Sequence, residues 1–292
     1  GSRVTLRVDT SLASVVLTRS GQIGLPSAAW TTDNWASELQ AATAARVIQG
    51  SGNGSDPILE MGSATAAMAL DQLYQRQNTD GGWGWLERTS NLHLTTYVVS
   101  GLIEAQRAGL PVRSTALDGG LAYIQELVAH EIGTGLRQPH LAFALHVLAE
   151  ARQSWPQGAG TALYADRDKI GIGGRAYLAL AFGALDRSDT RLASLLTELR
   201  DAVVLSGSGA HWEEADAETW STSVQSTALA LKVLVRHASD DPLLPDVVRW
   251  LVASRGNRET ATSYENAWVL STLAEYATVN GDLSADFDWR VA

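Results

Sequence analysis

The sequence predicts an all-α fold, a closed (α/α)6 toroid of helical hairpins, on three observations. From residue 33 to 278, Ala- and Leu-rich segments with helical spacing alternate with short Gly, Pro, Asn and Asp loops. One pattern recurs within them, reading TTYVVSGL at 95–102, LAFALHVL at 141–148, RAYLALAF at 175–182, TALALKVL at 227–234 and NAWVLSTL at 266–273, with a looser AATAARVI at 41–48. Between the copies lie more amphipathic segments at 57–77, 112–129, 189–205 and 242–254, with short candidates at 11–19 and 159–168.

The repeated segments are apolar nearly all round, as suits helices buried on more than one side, so they form an inner ring and the amphipathic segments an outer one. Closure leaves no half-buried terminal repeat, whereas an open stack of helical pairs needs polar end caps. Helix starts are signalled at Asp56-Pro57 and Asp241-Pro242, where an aspartate can accept free amides and a proline fits the first turn. Strand alternation is confined to the ends: RVTLRVD at 3–9 and DFDWRV at 286–291.

Composition narrows the function. With 292 residues and 45% apolar content the chain can bury a large core, and no low-complexity tail is present. The net charge is −10 and the only lysines are Lys169 and Lys232, without any basic cluster, which argues against nucleic acid or an anionic membrane surface as partner. No apolar run approaches the roughly 20 residues of a spanning helix, so direct membrane insertion by this segment is not expected. The absence of cysteine excludes disulfides, thiolate catalysis and sulfur-ligated zinc. The opening Gly1-Ser2 reads as a cloning remnant and the chain as a piece of a longer protein.

QNTDGGWGW at 77–85 is the densest turn signal. It follows the outer segment 57–77 and precedes an inner helix expected near Asn91. Gly81 and Gly82 tolerate left-handed backbone and Asp80 can bond its own turn. Trp83 and Trp85 are expected to staple the two helices together rather than to form an exposed aromatic platform.

A DGGWGW turn after a glutamine-ended outer helix resembles the repeat of the terpenoid-cyclase and prenyltransferase toroids and of thioester domains. YQRQNTDGGWGWLERTSNLHLTTYVVSGLIEAQRAG at 74–109, DPLLPDVVRWLVASRG at 241–256 and SYENAWVLSTLAEYA at 263–277 resemble the bacterial α2-macroglobulin family, over roughly residues 57–278. The resemblance implies a thioester domain inserted in a CUB-type β domain. Residues 1–10 and 281–292 would carry the flanking CUB-type strands, and 11–280 the toroid.

The family's thioester joins a cysteine to a glutamine three positions later in a C-x-E-Q motif at the start of the first inner helix. The corresponding stretch here is NWASELQ at 34–40. Aligned on Glu38, Ala36 stands at the cysteine position and Leu39 at the glutamine; aligned on Gln40, Ser37 stands at the cysteine position. Neither alignment permits a thioester, so covalent capture is not expected, and the failure of the whole motif favours a natural loss over an engineered one.

Other chemistry finds little support. EEADAE at 213–218 is not the acid motif of a terpenoid cyclase. GAHWEEADAETW at 209–220 gathers His211, Glu213, Glu214, Asp216 and Glu218, but their spacing matches no metal loop, and a solvated loop capping the fifth inner helix, over Trp212 and Trp220, is the expectation. GIGGR at 171–175 is read as a helix-start turn, since no strand precedes it. In complement-type domains a histidine serves acyl transfer; His130 and His140 fall where one could lie, while His93 and His146 are expected to be packed.

No cofactor or metal is therefore expected. What the resemblance implies is a non-catalytic module of a bacterial proteinase-trap protein serving bacterial defence, periplasmic, secreted or at the cell surface, whose partners are the parent's other domains and target proteases. The alternative is a carbohydrate-active (α/α)6 enzyme, a glycosidase or lyase, using paired carboxylates roughly 5–10 Å apart; the acids on or near inner helices are Glu38, Glu104, Glu150, Asp186, Glu265 and Glu275.

Overall fold

The computed structural model describes residues 30–50, 57–85, 89–131, 138–156, 158–216, 221–256 and 262–281. The expected end strands at 3–9 and 286–291, and the helix candidate at 11–19, lie outside the described residues. Eleven α-helices follow one another among those described: α1 (Thr32–Gly50), α2 (Pro57–Arg76), α3 (Leu92–Arg107), α4 (Ser114–Glu131), α5 (Gln138–Glu150), α6 (Ala159–Ala165), α7 (Gly171–Leu185), α8 (Thr190–Asp201), α9 (Ser223–His237), α10 (Leu244–Gly256) and α11 (Ser263–Asn280). All six copies of the repeated pattern fall in the odd-numbered helices.

The odd-numbered helices form the inner ring. Each packs on the next, and α11 packs on α1, so the ring closes and the chain is an all-α toroid. The even-numbered helices lie outside and bury one stripe each. On α4 that stripe is Leu117, Leu121, Ile124 and Val128; on α8 it is Leu192, Leu195, Leu196 and Leu199. Helix starts are fixed by side-chain caps at Asn91, Asp189 and Thr222, and by a capping box between Thr262 and Glu265.

Because the inner helices run in the same direction, equivalent residues of the repeat form layers along the axis. The third position supplies Tyr97, Phe143, Tyr177 and Trp268, which meet at the centre: Phe143 and Tyr177 stack with centroids 4.4 Å apart, and Trp268 meets both edge-on at 5.7 and 6.0 Å. One turn later come His146, Lys232 and Ser271, and one turn beyond those Glu104, Glu150, Arg236 and Glu275, the spacing that keeps side chains on one helical face. The axis is thus filled, aromatic in the middle and charged at the C-terminal ends of the inner helices.

The hairpins are tied by a tryptophan device that occurs twice. Trp83 is completely buried, its indole N–H donating to Leu73 O (2.7 Å) on α2 while its backbone N–H donates to Thr95 Oγ1 (2.8 Å) on α3. Trp212 repeats this between α8 and α9, donating to Leu199 O (2.7 Å) and Thr227 Oγ1 (3.0 Å). Around Trp83 the turn is closed by Asp80, which accepts from Gly82 N (2.9 Å) and Ser90 (2.7 Å), and by Gln77, which donates to Gly81 O and Ala116 O (both 2.9 Å). Gly81 sits at φ +86°, where a Cβ would collide with the Gly119 carbonyl. Trp85 is half-buried against the core.

Two differences from the sequence reading concern 204–222. Strand pairing is not confined to the ends: β1 (Val204–Ser206) pairs with β2 (Gly209–His211), and β3 (Ala215–Asp216) with β4 (Ser221–Thr222), both antiparallel. Elements of two or three residues are too short to show alternation. Over the fifth inner helix Trp212 is packed as expected, but 209–214 is less solvated than the sequence suggests, since Ala210 is also completely buried and His211 stacks on Trp250 at 4.6 Å. Trp220 and Glu218 lie outside the described residues.

Truncating either tying indole removes a fully buried side chain and leaves a carbonyl without its donor. Trp83→Ala and Trp212→Ala should each cost about 3–5 kcal/mol in chemical denaturation.

Candidate functional site

The residues aligned with the C-x-E-Q motif lie inside α1. Thr32 begins the helix, and Ala36, Ser37, Glu38, Leu39 and Gln40 are all buried. Ser37 Oγ donates to Asp33 O (2.7 Å), one turn earlier, and shares a 2.9 Å hydrogen bond with Tyr97 OH, so its hydroxyl is committed to the fold. Leu39 is core. Gln40 packs against Gly101 on α3, and neither polar atom of its amide meets a partner among the described residues. Burial pushes the Glu38 carboxyl up to about 7.

The structure brings the glycine-tryptophan turn onto this region. Thr32 Oγ1 donates to Gly84 O (2.7 Å) and Trp85 O (3.2 Å), and the Trp30 and Trp35 rings meet at 4.8 Å. The turn thus meets the start of α1 through Gly84 and Trp85, while Asp80, Gly81, Gly82 and Trp83 close the turn itself on α2 and α3. Of the two histidines considered for acyl transfer, His140 lies in the first turn of α5 with its ring 4.5 Å from His93, while His130 is exposed at the end of α4. His93 is buried and reaches Tyr264 OH at 3.5 Å. Burial, reinforced by His140, pushes it down to about 3, so it stays neutral.

At the opposite end of the axis lies a buried ion-pair network that sequence reasoning missed. Lys232, 1% exposed, donates to Glu104 Oε1 (2.5 Å) and to Ser271 Oγ (3.3 Å), which in turn donates to Glu104 Oε2 (3.0 Å). Arg236 forks onto Glu275 (2.5 and 3.1 Å) and reaches Glu150 Oε1 (3.0 Å), and Arg107 pairs with the other Glu150 oxygen. Three carboxylates thus face three cations contributed by α3, α5, α9 and α11. Burial by itself favours the neutral form of Glu104 and Glu150. Lys232 and Arg236 nevertheless hold Glu104 below its ordinary range, and His146, Arg236 and Arg107 hold Glu150 at about 2. The available signal was the polar residue in an apolar repeat: His146, Lys232 and Ser271 share one repeat position.

This geometry bears on the carboxylate-pair alternative. A glycosidase needs one carboxyl kept protonated as the acid. The three acids that converge on the axis are instead neutralised by cations, and the resolved shifts of Glu104 and Glu150 are downward. The others serve locally: Glu265 closes the α11 capping box and accepts from Thr222 Oγ1 (2.7 Å), Asp186 accepts from Ser188 in an exposed turn, and Glu38 lies inside α1.

The acidic stretch after Trp212 is structural in part. Glu214 reaches across to α7 and accepts from Ile172 N (3.0 Å), Gly173 N (2.9 Å) and Ser226 Oγ, so a carboxylate occupies that helix N-terminus. Gly171, at φ +68°, leaves room for it, since a Cβ there would strike the Glu214 side chain. GIGGR is thus a helix-start turn, as expected, and its amides already hold an anion. His211 comes only within 3.9 Å of Glu213, and no group of three metal-ligating side chains occurs among the described residues.

Comparison with known proteins gives the ring its relatives. A 58-residue stretch, 20% of this chain, is 38% identical to the α2-macroglobulin of Thermotoga maritima. The chain resembles the bacterial α2-macroglobulins. Its fold matches Salmonella α2-macroglobulin reacted with methylamine over 90% of the chain, with a TM-score of 0.69 at 18% identity. It also matches Escherichia coli α2-macroglobulin activated by porcine elastase, with a TM-score of 0.67 at 17% identity over 90% of the chain. At such identities the likeness establishes the fold. The matched regions amount to 4%, 17% and 24% of these proteins, so the chain spans a small part of each. No protein-family model matches the chain.

Two outcomes follow from the site's electrostatics. Lys232→Ala would leave Glu104 buried without its ammonium partner and should cost about 3–5 kcal/mol in urea denaturation, much of it recovered when Glu104 is replaced by Leu in the same chain. Acid should also weaken the fold. Burial lowers His93 and His146 to about 3 and His237 to about 4, so below the unfolded value of about 6.5 the unfolded chain binds protons that the folded chain refuses. Their stabilising effect is present above that pH and is lost as pH falls. Glu38, raised to about 7, acts with the opposite sign, one carboxyl against three imidazoles. The urea midpoint should fall between pH 6.5 and 4.5, and His146→Gln should shrink that fall.

Proposed function

We propose that this chain is a thioester-type domain of a bacterial α2-macroglobulin-like proteinase inhibitor that works without covalent capture. The observation carrying this reading is the closed ring shared with those proteins, combined with Ala36, Ser37 and Leu39 buried in α1 where a reactive cysteine and glutamine would be required. The chain contains no cysteine, so no thiol ester can form in it. In the parent protein the domain packs against its neighbours, shifts after a protease cleaves elsewhere in the chain, and contributes to retaining the protease by non-covalent contacts. It performs no catalysis. Its place is outside the cytoplasm, in the periplasm or at the cell surface, where proteases from competitors or hosts are met, and its partners are the parent's other domains and the trapped protease.

The test uses the full-length parent incubated with elastase and with trypsin. Trapped protease should keep its activity on small chromogenic substrates and lose it on large protein substrates, with no protease-containing adduct surviving on denaturing gels. An adduct resistant to denaturation, or undiminished cleavage of large substrates, would overturn the proposal.

A further inference from the structure

Beside the axial ion pairs, where α5, α7 and α9 end, lies a cavity of about 400 Å³. Its charged lining is Arg107, Arg152, Arg187 and Arg236 against Glu150 and Glu275, an excess of two positive charges in a chain whose net charge is −10. The excess has an identifiable source. Arg107 and Arg236 are consumed by Glu150 and Glu275, whereas Arg152 and Arg187 are exposed and their side chains make no ion pair or hydrogen bond among the described residues. Two arginines at the ends of neighbouring inner helices therefore line the cavity without an ion-pair partner among the described residues.

Arg152 is held there against its backbone preference. It follows the end of α5 in the left-handed conformation, φ +56°, within a Schellman closure in which Arg152 N donates to Ala149 O (2.9 Å) and Gln153 N to Leu148 O (2.8 Å). Glycine or asparagine normally takes that position, and among the described residues Arg152 is the one non-glycine with positive φ. Compensation of a helix dipole is an insufficient reason, because a cation in the last helical turn achieves it with ordinary backbone angles. On the facing wall, the missing side chain of Gly183 lets the His237 ring lie directly on α7. Burial first, then Arg187 and Arg236 against the opposing Glu150 and Glu275, push His237 down to about 4.

We propose that the cavity is a binding site for a ligand carrying several carboxylates, seated between the guanidinium groups of Arg152 and Arg187. Planar guanidinium donors match carboxylate geometry, and the volume lies within the roughly 300–1,000 Å³ of small-ligand pockets. The inference is independent of the proteinase-inhibitor reading, since it rests on this cavity alone. Calorimetric titration at low salt would use two probes, citrate as a free polycarboxylic acid and acetyl-triglutamate amide as an acidic polypeptide segment. At least one should bind saturably at one site. Affinity should fall tenfold or more in both Arg152→Gly and Arg187→Gln, and Arg152→Gly should melt no lower than the parent chain, because glycine relieves the left-handed strain. Binding of citrate alone identifies a free acid as the ligand class, and binding of the peptide identifies an acidic segment of a partner. Saturable binding by neither probe, or binding that both substitutions leave unchanged, would overturn the proposal.

Discussion

Six parallel helices arranged in a ring enclose an axis that has to be filled, and everything else in this structure is built around how that is done. At the middle the third residue of four of the six repeats supplies a large ring, with Tyr97, Phe143 and Tyr177 each meeting Trp268. Toward the helix C-termini the same stripe becomes charged, and Lys232 with Glu104 ties α9 to α3 across the ring. A buried pair of this kind is weak evidence for net stability, since desolvation offsets much of its attraction. The four helices that carry these charges, α3, α5, α9 and α11, have to be in register for each charge to meet its partner.

The stretch that the sequence sets against the family's thioester motif is held by contacts internal to the ring. Position 37 satisfies its hydroxyl within the fold, through Asp33 O and Tyr97 OH, and the start of α1 is anchored by Thr32 on the carbonyls of Gly84 and Trp85. These contacts are backbone-directed or internal to the core. None of these contacts requires a thiol at position 36 or 37. The ring has two different faces: aromatic residues, histidines and the tryptophan turn at the helix N-termini, ion pairs and arginines at the C-termini.

Each hairpin solves the same local problem, how an outer helix hands over to the next inner one, and two of them do so with the same residues. Trp83 and Trp212 both reach back to a leucine carbonyl on the outer helix and take a threonine hydroxyl from the inner one, although the intervening segments differ in length and sequence. The connection around Trp212 has gained a further task. Its Glu214 supplies the anion at the start of α7, so one hairpin completes the helix of its neighbour.

The sequence by itself determined the helical ring, its repeat and the absence of any thiol, because helical periodicity and composition are local properties that one strand of text carries in full. TTYVVSGL and its copies mark the buried helices, and the Asp-Gly-Gly run marks the turn before α3. The pairing of Lys232 with Glu104, 128 residues apart, was decided only by tertiary structure, as were the Glu214 cap 41 and 42 residues from its donors and the convergence of Arg152 and Arg187 on one cavity. Periodicity says which face of a helix turns inward; which residue it meets there depends on how the ring closes and in what register. For that reason Lys232 reads in the sequence as a lone charge in an apolar helix, and 209–216 as a solvated acidic loop, until the closed ring supplies their partners.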